Sequence, residues 1–447
     1  MKHLHASVLM LLGLAATGVQ AWENHTLASY RAFEKMSEVA NAPPATVEPL
    51  EAFLRSEENT IEALLASQEA WARSTLDKYP ARPSHLAFTA VPGRSDEARR
   101  IAFLLALRIT PNSKFALFIQ PDPWNPTPGT PLPASAVNTL WESQMAVTRF
   151  LAIKAGDQIA ALSVLASACD EPDYGLDMNL WEDSPSEWGR QYGFGPQPFG
   201  NPAQPYSSVA PFHMAFMHES TLLNTTAPFL QRTFPLLRYY QFSTLSALAF
   251  RTGHAYWGWR FAGLSLHYLQ DLTHPYHASV APGEPIAKLL AVHALALVGA
   301  SGKENDMRVL LSNRSLVMDR YLAEYLLRNA ARREESMLEK ALRNGDKDRL
   351  YPEWSERYLR EVVSLQAAST ASSVAQRLLA VMPVLYVSDP DFDFGVRRSS
   401  IHVHKEIGRR ESPERVRLDA SFAALMENFG AHSRNALRGI LRASNLP

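Results

Sequence analysis

The stretch His267-Tyr-Leu-Gln-Asp271-Leu-Thr-His274-Pro-Tyr-His277 places four side chains able to bind a metal within eleven residues. Imidazole nitrogen and carboxylate oxygen together suit zinc, and an open zinc site is a hydrolytic catalyst. His267 and Asp271 are four residues apart, so on a helix they project from one face about one turn apart and can grip one ion. Pro275 cannot continue that helix. His277 therefore sits just past a break, where the chain turns back towards the same cleft and a second ion could lie. A lone His and Asp at this spacing is commonly only a surface hydrogen-bonded pair; the density of donors favours metal.

Further donors are spread along the chain at Trp22, His25, Asp173 and either His213 or His218. Trp22 enters because a free α-amine and its own carbonyl can chelate. His213 and His218 are five residues apart and cannot both face one metal from a regular helix; His213 is favoured. His274 reads as a supporting or exposed residue, and His254, His402, His404 and His432 as structural or solvent-facing. Trp181, Trp188, Tyr192 and Phe194 read as loop core in preference to an aromatic cage for a lipid head group. The single Cys169 rules out an internal disulfide framework and a closed cysteine-ligated zinc site.

Helices must position these residues. Apolar residues at three- and four-residue spacing predict helices over 47–76, 97–107, 136–155, 227–250, 261–272, 317–342 and 354–381, and so an all-α fold. Phe115 to Ile119 could equally be a strand. Two irregular stretches, 120–133 and 172–211, interrupt the pattern, and the aromatic content of the second predicts an ordered loop lining or covering a site. A charged stretch, 397–417, precedes an amphipathic helix from Leu418 to about Ala443.

Residues 1–21 read as a secretory signal: Lys2, an apolar run over 8–16, and the small-x-small end Val19-Gln-Ala21. The mature chain is then expected to begin at Trp22 and to be soluble and exported, secreted or periplasmic. The most apolar later segment, 286–300, is interrupted by Lys288 and His293. The chain has 44 Lys and Arg against 45 Asp and Glu; loss of Lys2 leaves 43 and a net charge of −2. That lacks the basic surplus of a strong binder of phosphate backbones.

The ordered set resembles the bacterial zinc-dependent phospholipases C, with their H-Y-x-G-D-x-x-x-P-x-H motif, related in fold to single-strand-specific zinc nucleases. The supporting matches are Trp22 after the cleavage site, His25, Pro172-Asp173-Tyr174, Phe212-His213-Met214 and the Pro275-Tyr-His277 ending. The resemblance implies a multi-helical domain holding three zinc ions in a cleft. Asp173, His213, His267 and Asp271 would hold one, and Asp271 would bridge to a second held by the Trp22 amine and carbonyl and by His25. His277 would belong to the remaining ion. The implied reaction is attack of hydroxide on the phosphorus of a phospholipid, releasing diacylglycerol and a phosphorylated head group, with Asp173 orienting or deprotonating the water. Phospholipid is the implied partner, with peripheral membrane contact through helical parts and no protein partner. A single-strand nuclease, or a non-catalytic protein keeping the metal cage, are the alternatives.

The chain departs from that pattern. The family completes its third ion with His-x-x-x-Glu, whereas the counterpart here is Ser315-Leu-Val-Met-Asp319, so Asp319 is the ligand expected and two to three zinc ions are predicted. His293 or His274 could rebuild the site. Gln270 replaces the family's Gly. About 150 residues separate Trp22 from Asp173, so 43–155 reads as a helical insertion within a 22–385 phospholipase C-like domain, followed by a helical C-terminal extension, 386–447.

Overall fold

The computed structural model describes residues 24–139, 149–200, 208–397, 400–408 and 412–445. The signal reading, and Trp22 with it, lie outside the described residues. In chain order the helices that matter for the site are α1 His25–Phe33, α2 Glu58–Thr75, α3 Asp96–Leu107, α4 Ala161–Ala168, α5 Ala210–His213, α6 Pro235–Arg251 and α7 Ala255–Leu272. They continue with α8 Pro275–Ala278, α9 Ile286–Leu297, α10 Gly302–Arg332, α11 Met337–Arg343, α12 Leu365–Val381 and α13 Pro413–Ala443. The strands are β1 Ala45–Thr46, β2 Phe118–Ile119, β3 Pro131–Leu132, β4 Phe150–Ala152 and β5 Gln158–Ile159. The fold is mostly helical, at 63% helix and 3% strand.

Helix α7 is the axis of the molecule. Every side chain from Tyr256 to Leu272 is buried, as expected of a helix that is packed on all sides. It lies against α6 along its length, against α4 on another face, and against α13 on a third. The contact with α4 depends on Gly263: a Cβ there would come within 2.5 Å of both the Leu165 carbonyl oxygen and the Ala168 Cβ. Close approach of the two backbones brings the end of α4 beside His267. Because the helix is sealed, His267, Gln270 and Asp271 need partners. A buried polar group left without one costs roughly 2–7 kcal/mol.

Several boundaries differ from the periodicity. The helix expected over 136–155 is not found in its described part: Ala134–Val137 is a single turn, and Phe150–Ala152 is β4, paired antiparallel between β2 and β3. Phe-Leu-Ala is a short apolar run that suits either state, and its distant strand partners decide. Residues 140–148 of that reading lie outside the described residues. The helix expected over 317–342 divides at Arg333, whose φ is 56°, and restarts at a capping box in which Ser336 and Glu339 satisfy each other's backbone amides. The run over 47–76 breaks at Glu57 into Leu50–Ser56 and α2.

The segments read as an insertion and as an extension share one core with the rest of the chain. Phe53, Ile61 and Phe103 from the first, and Phe422, Leu425, Phe429 and Leu437 from the second, join the cluster that contains Phe261 and Leu269. Helix α13, with Pro413 in its first turn and Ser412 capping its start, packs on α1, α7, α11 and α12. Within 172–211, Trp181, Tyr192 and Phe194 are buried in a second cluster with Phe212 and Phe234, and the Trp181 indole donates to the Ser208 carbonyl at 2.7 Å. They are loop core, and they anchor the residue before His213. Among the described residues no helix is long and apolar enough to cross a membrane.

Candidate metal centre

His267 projects from the last two turns of α7, and its Nδ1–H donates to the carbonyl of Cys169, the residue that ends α4, at 2.7 Å. The ring is thereby fixed with the Nε2 lone pair turned inward. One turn on, the Oδ2 of Asp271 lies 3.3 Å from that Nε2. His213, the last residue of α5, presents Nδ1 to the same point, 3.0 Å from His267 Nε2 and 2.8 Å from Asp271 Oδ2. Asp173, in the short 3₁₀ turn Glu171–Tyr174, brings Oδ1 to 3.7 Å from His267 and 3.9 Å from His213. For metal–donor distances near 2.0–2.1 Å, a tetrahedron has edges of about 3.3 Å, and these separations bracket that value.

The other oxygen of Asp271 faces a different side. His25, the first residue of α1, places Nε2 at 3.3 Å from Asp271 Oδ1, while its Nδ1 is held by Gln270 Oε1 at 2.8 Å. Asp271 therefore has one oxygen among His213 and His267 and the other towards His25. Asn24 caps α1 by accepting from the Leu27 amide at 2.8 Å, which fixes the first turn that carries His25.

A third grouping lies at the α8 end. The His277 Nδ1–H donates to the His213 carbonyl at 3.0 Å, and its buried Nε2 has no hydrogen-bond partner among the described residues. Asp319, in the middle of α10, approaches His274, with Oδ1 at 2.9 Å from Nε2. His274 is fully buried and accepts the Tyr276 amide on Nδ1 at 3.2 Å, so Nε2 carries the proton of the neutral ring and faces Asp319. It is a supporting residue, not an exposed one. Ser315, one turn before Asp319, is buried with its hydroxyl unpaired among the described residues.

Protonation states tell the same story. Burial pushes the Asp271 carboxyl up, but His267, His213 and His25 around it outweigh burial and hold it well below the usual carboxylate range. Burial raises Asp173 to about 7, with Asp271 and Asp170 adding to the rise against the pull of His213 and His25. Burial lowers His274 and His277 to about 3, so both rings are neutral. His213 lies between Asp271 and Asp177, whose Oδ2 is 3.3 Å from its Nε2; against burial, the two carboxylates raise it to about 10. Without a metal, His213 can be an imidazolium donating to both. A metal would leave the Nε2–H facing Asp177 and take Nδ1 as its ligand atom. His25, His213, His267 and His277 each have one ring nitrogen engaged by an oxygen acceptor and the other turned inward, and this arrangement fits metal ligation.

His25, Asp173, His213, His267 and Asp271 thus converge. They form the two overlapping groups of possible ligands, His25 with Asp173 and His267, and His213 with His267 and Asp271. His218 does not join them: its Nε2 contacts the Arg360 carbonyl and Ser364 hydroxyl. His254 pairs with Glu48, His432 lies between Tyr358 and Gln366, and His402 is exposed near Glu324. His293 lies half-buried on α9 and belongs to neither group. Sequence reasoning missed Asp177, which Arg238 Nε at 2.8 Å and the Tyr268 hydroxyl at 2.7 Å hold against His213. Its spacing of four from Asp173 was the available signal. Comparison with protein-family models, curated proteins and solved structures finds no match.

Proposed function

We propose that the protein is a zinc-dependent phosphodiesterase of the phospholipase C type. The observation that carries the reading is the division of Asp271: its two carboxylate oxygens face separate sets of inward-turned imidazoles, as a ligand shared by two ions must. Asp173, His213, His267 and Asp271 would hold one ion, and His25, the other oxygen of Asp271 and the Trp22 amine and carbonyl a second. His277 and Asp319, which lie outside the two groups of possible ligands, would serve a third ion. Bound zinc supplies Lewis-acid polarisation of a phosphoryl oxygen and lowers the pKa of water.

The protein's own residues do the remaining work. Asp173, with its side chain 8% exposed and its carboxyl near neutrality, is suited to orient the attacking water and accept its proton. Cys169, Asp177, Gln270 and the His213 carbonyl fix four imidazoles before substrate arrives. Phospholipid is preferred to single-stranded nucleic acid because of the Pro275-Tyr-His277 ending and the lack of a basic surplus. Metal-loaded protein beginning at Trp22 should hydrolyse phosphatidylcholine and leave single-stranded DNA intact; DNA cleavage without lipid hydrolysis would transfer the assignment to the nucleases.

One observation favours a second reading. His25, His267, His277 and Asp271 are completely buried, as in a metal staple that holds elements together. If the metal-loaded protein hydrolyses no phosphodiester while chelation still lowers its melting temperature, the staple is the correct account.

A further inference from the structure

Gln120 belongs to the 43–155 segment and reaches the metal centre from it. It follows β2, whose Phe118 and Ile119 are buried and pair with β4, and its own side chain is buried. Its backbone is held on both sides. The amide donates to the Ser167 hydroxyl of α4 at 2.8 Å, and the carbonyl accepts from the Tyr30 hydroxyl of α1 at 2.7 Å. The side chain thereby enters the junction of α1, α4 and the 3₁₀ turn Glu171–Tyr174.

There the amide Nε2 lies 2.9 Å from Thr26 Oγ1, 3.1 Å from Asp170 Oδ2 and 2.5 Å from the Tyr174 hydroxyl. The other oxygen of Asp170 accepts the Thr26 backbone amide at 3.2 Å, at the positive end of α1. Thr26, Asp170 and Tyr174 are all buried, so water cannot easily replace the donor that Gln120 brings. Thr26 follows His25 in the chain, and Tyr174 follows Asp173. His25 and Asp173, together with His267, present ligand atoms within 4.8 Å of one another. They nevertheless serve different ions: His25 faces Oδ1 of Asp271, whereas Asp173 stands with His213 and His267. One buried amide therefore touches the chain beside a ligand of each ion.

Ligands must be held within about 0.5 Å of their working positions, and groups that touch no metal do much of that holding. We infer that Gln120 is a positioning residue of the metal centre, which sets the separation of His25 from Asp173 and so couples the two ion sites. The inference rests on the two-ion reading. It gives the 43–155 segment a part in the site as well as in the core.

The test is chelator competition on the full chain beginning at Trp22, which returns an affinity for each zinc ion. Gln120→Met keeps the length of the side chain but loses both N–H donors, and it should weaken both ions about tenfold. Tyr174→Phe removes only the hydroxyl beside Asp173 and should weaken the ion on that side alone. Phe103→Leu, in the buried core of the same segment, controls for stability: its unfolding midpoint should fall while both affinities are retained. In cobalt-loaded protein the magnetic coupling between the two ions should change in Gln120→Met and be preserved in Phe103→Leu. Unchanged affinities in folded Gln120→Met would overturn the role, as would zinc loss in Phe103→Leu equal to that in Gln120→Met. If Gln120→Met does not fold, Tyr174→Phe decides, and two unchanged affinities there overturn the role. Unaltered protein that binds no zinc would remove the two-ion reading and this role with it. Unaltered protein that binds two ions as tightly as Gln120→Met does would remove the role of Gln120 alone.

Discussion

Asp271 is the residue on which the account turns. Asp271→Asn keeps the shape but gives up the charge and one acceptor oxygen, so zinc content should fall and hydrolysis should disappear; elemental analysis and a phosphodiester assay check both, and near-native values would contradict the bridging role. Gln270 gives a sharper residue-level test, since it touches His25 and not the His213 set. Gln270→Ala frees the Nδ1 of His25 and should weaken one zinc about 10–100-fold in chelator competition while the other is unchanged. Equal weakening of both ions would refute the division. His267, Asp271 and His277 were legible because they fall in one short run, and His25, Asp173 and His213 because of their order along the chain. Asp177 and the Cys169 carbonyl were not. A backbone oxygen leaves no residue-type pattern in the sequence, and a carboxylate that acts by holding a ring leaves only a spacing, as Asp177 does beside Asp173.

At the scale of elements, the α4–α7 contact positions His267. Gly263→Ala would ordinarily gain about 1 kcal/mol of helix propensity. Here the added methyl meets a backbone carbonyl and Ala168, and overpacking costs about 1–3 kcal/mol. The net expectation is a destabilised protein with weakened zinc binding, read from denaturant unfolding and metal content; a more stable protein with full zinc occupancy would show that the contact is loose. The helix carrying the motif was readable from its own periodicity, as was the amphipathic α13. Of the short strands, β2 was signalled as the alternative for Phe115 to Ile119, whereas β3 and β4 were not, because they exist only through pairing with segments distant in sequence. Nor was the break at Arg333, where a left-handed residue and a capping box interrupt an otherwise helical pattern.

For the whole molecule, the shared core means that the metal centre, the 43–155 segment and α13 should unfold together. His432, buried between Tyr358 and Gln366 where α12 and α13 meet, reports on this. Burial, helped slightly by Lys347, lowers it to about 3, against an ordinary value of 6.5. Below about pH 6.5 the unfolded chain takes up a proton that the folded chain refuses, so stability falls as the pH drops from there towards 3. The contribution is at most about 1.4 kcal/mol per pH unit. His432→Gln should remove that share of the slope, measured by urea unfolding at pH 7, 6 and 5; an unaltered slope would show that His432 takes up its proton equally in the folded and unfolded chains. Composition indicated a helical chain with enough apolar residues for a large core. It did not indicate that the insertion and the extension are woven into that core, because sharing of a core depends on contacts between segments far apart in sequence.

The most direct test of the central claim is zinc content by elemental analysis, on protein that begins at Trp22 and has been dialysed against metal-free buffer. The account predicts at least two zinc ions per chain, with a third depending on the His277 and Asp319 side. Protein that is folded, correctly processed and free of zinc after exposure to it would contradict the metal centre and every chemical role derived from it.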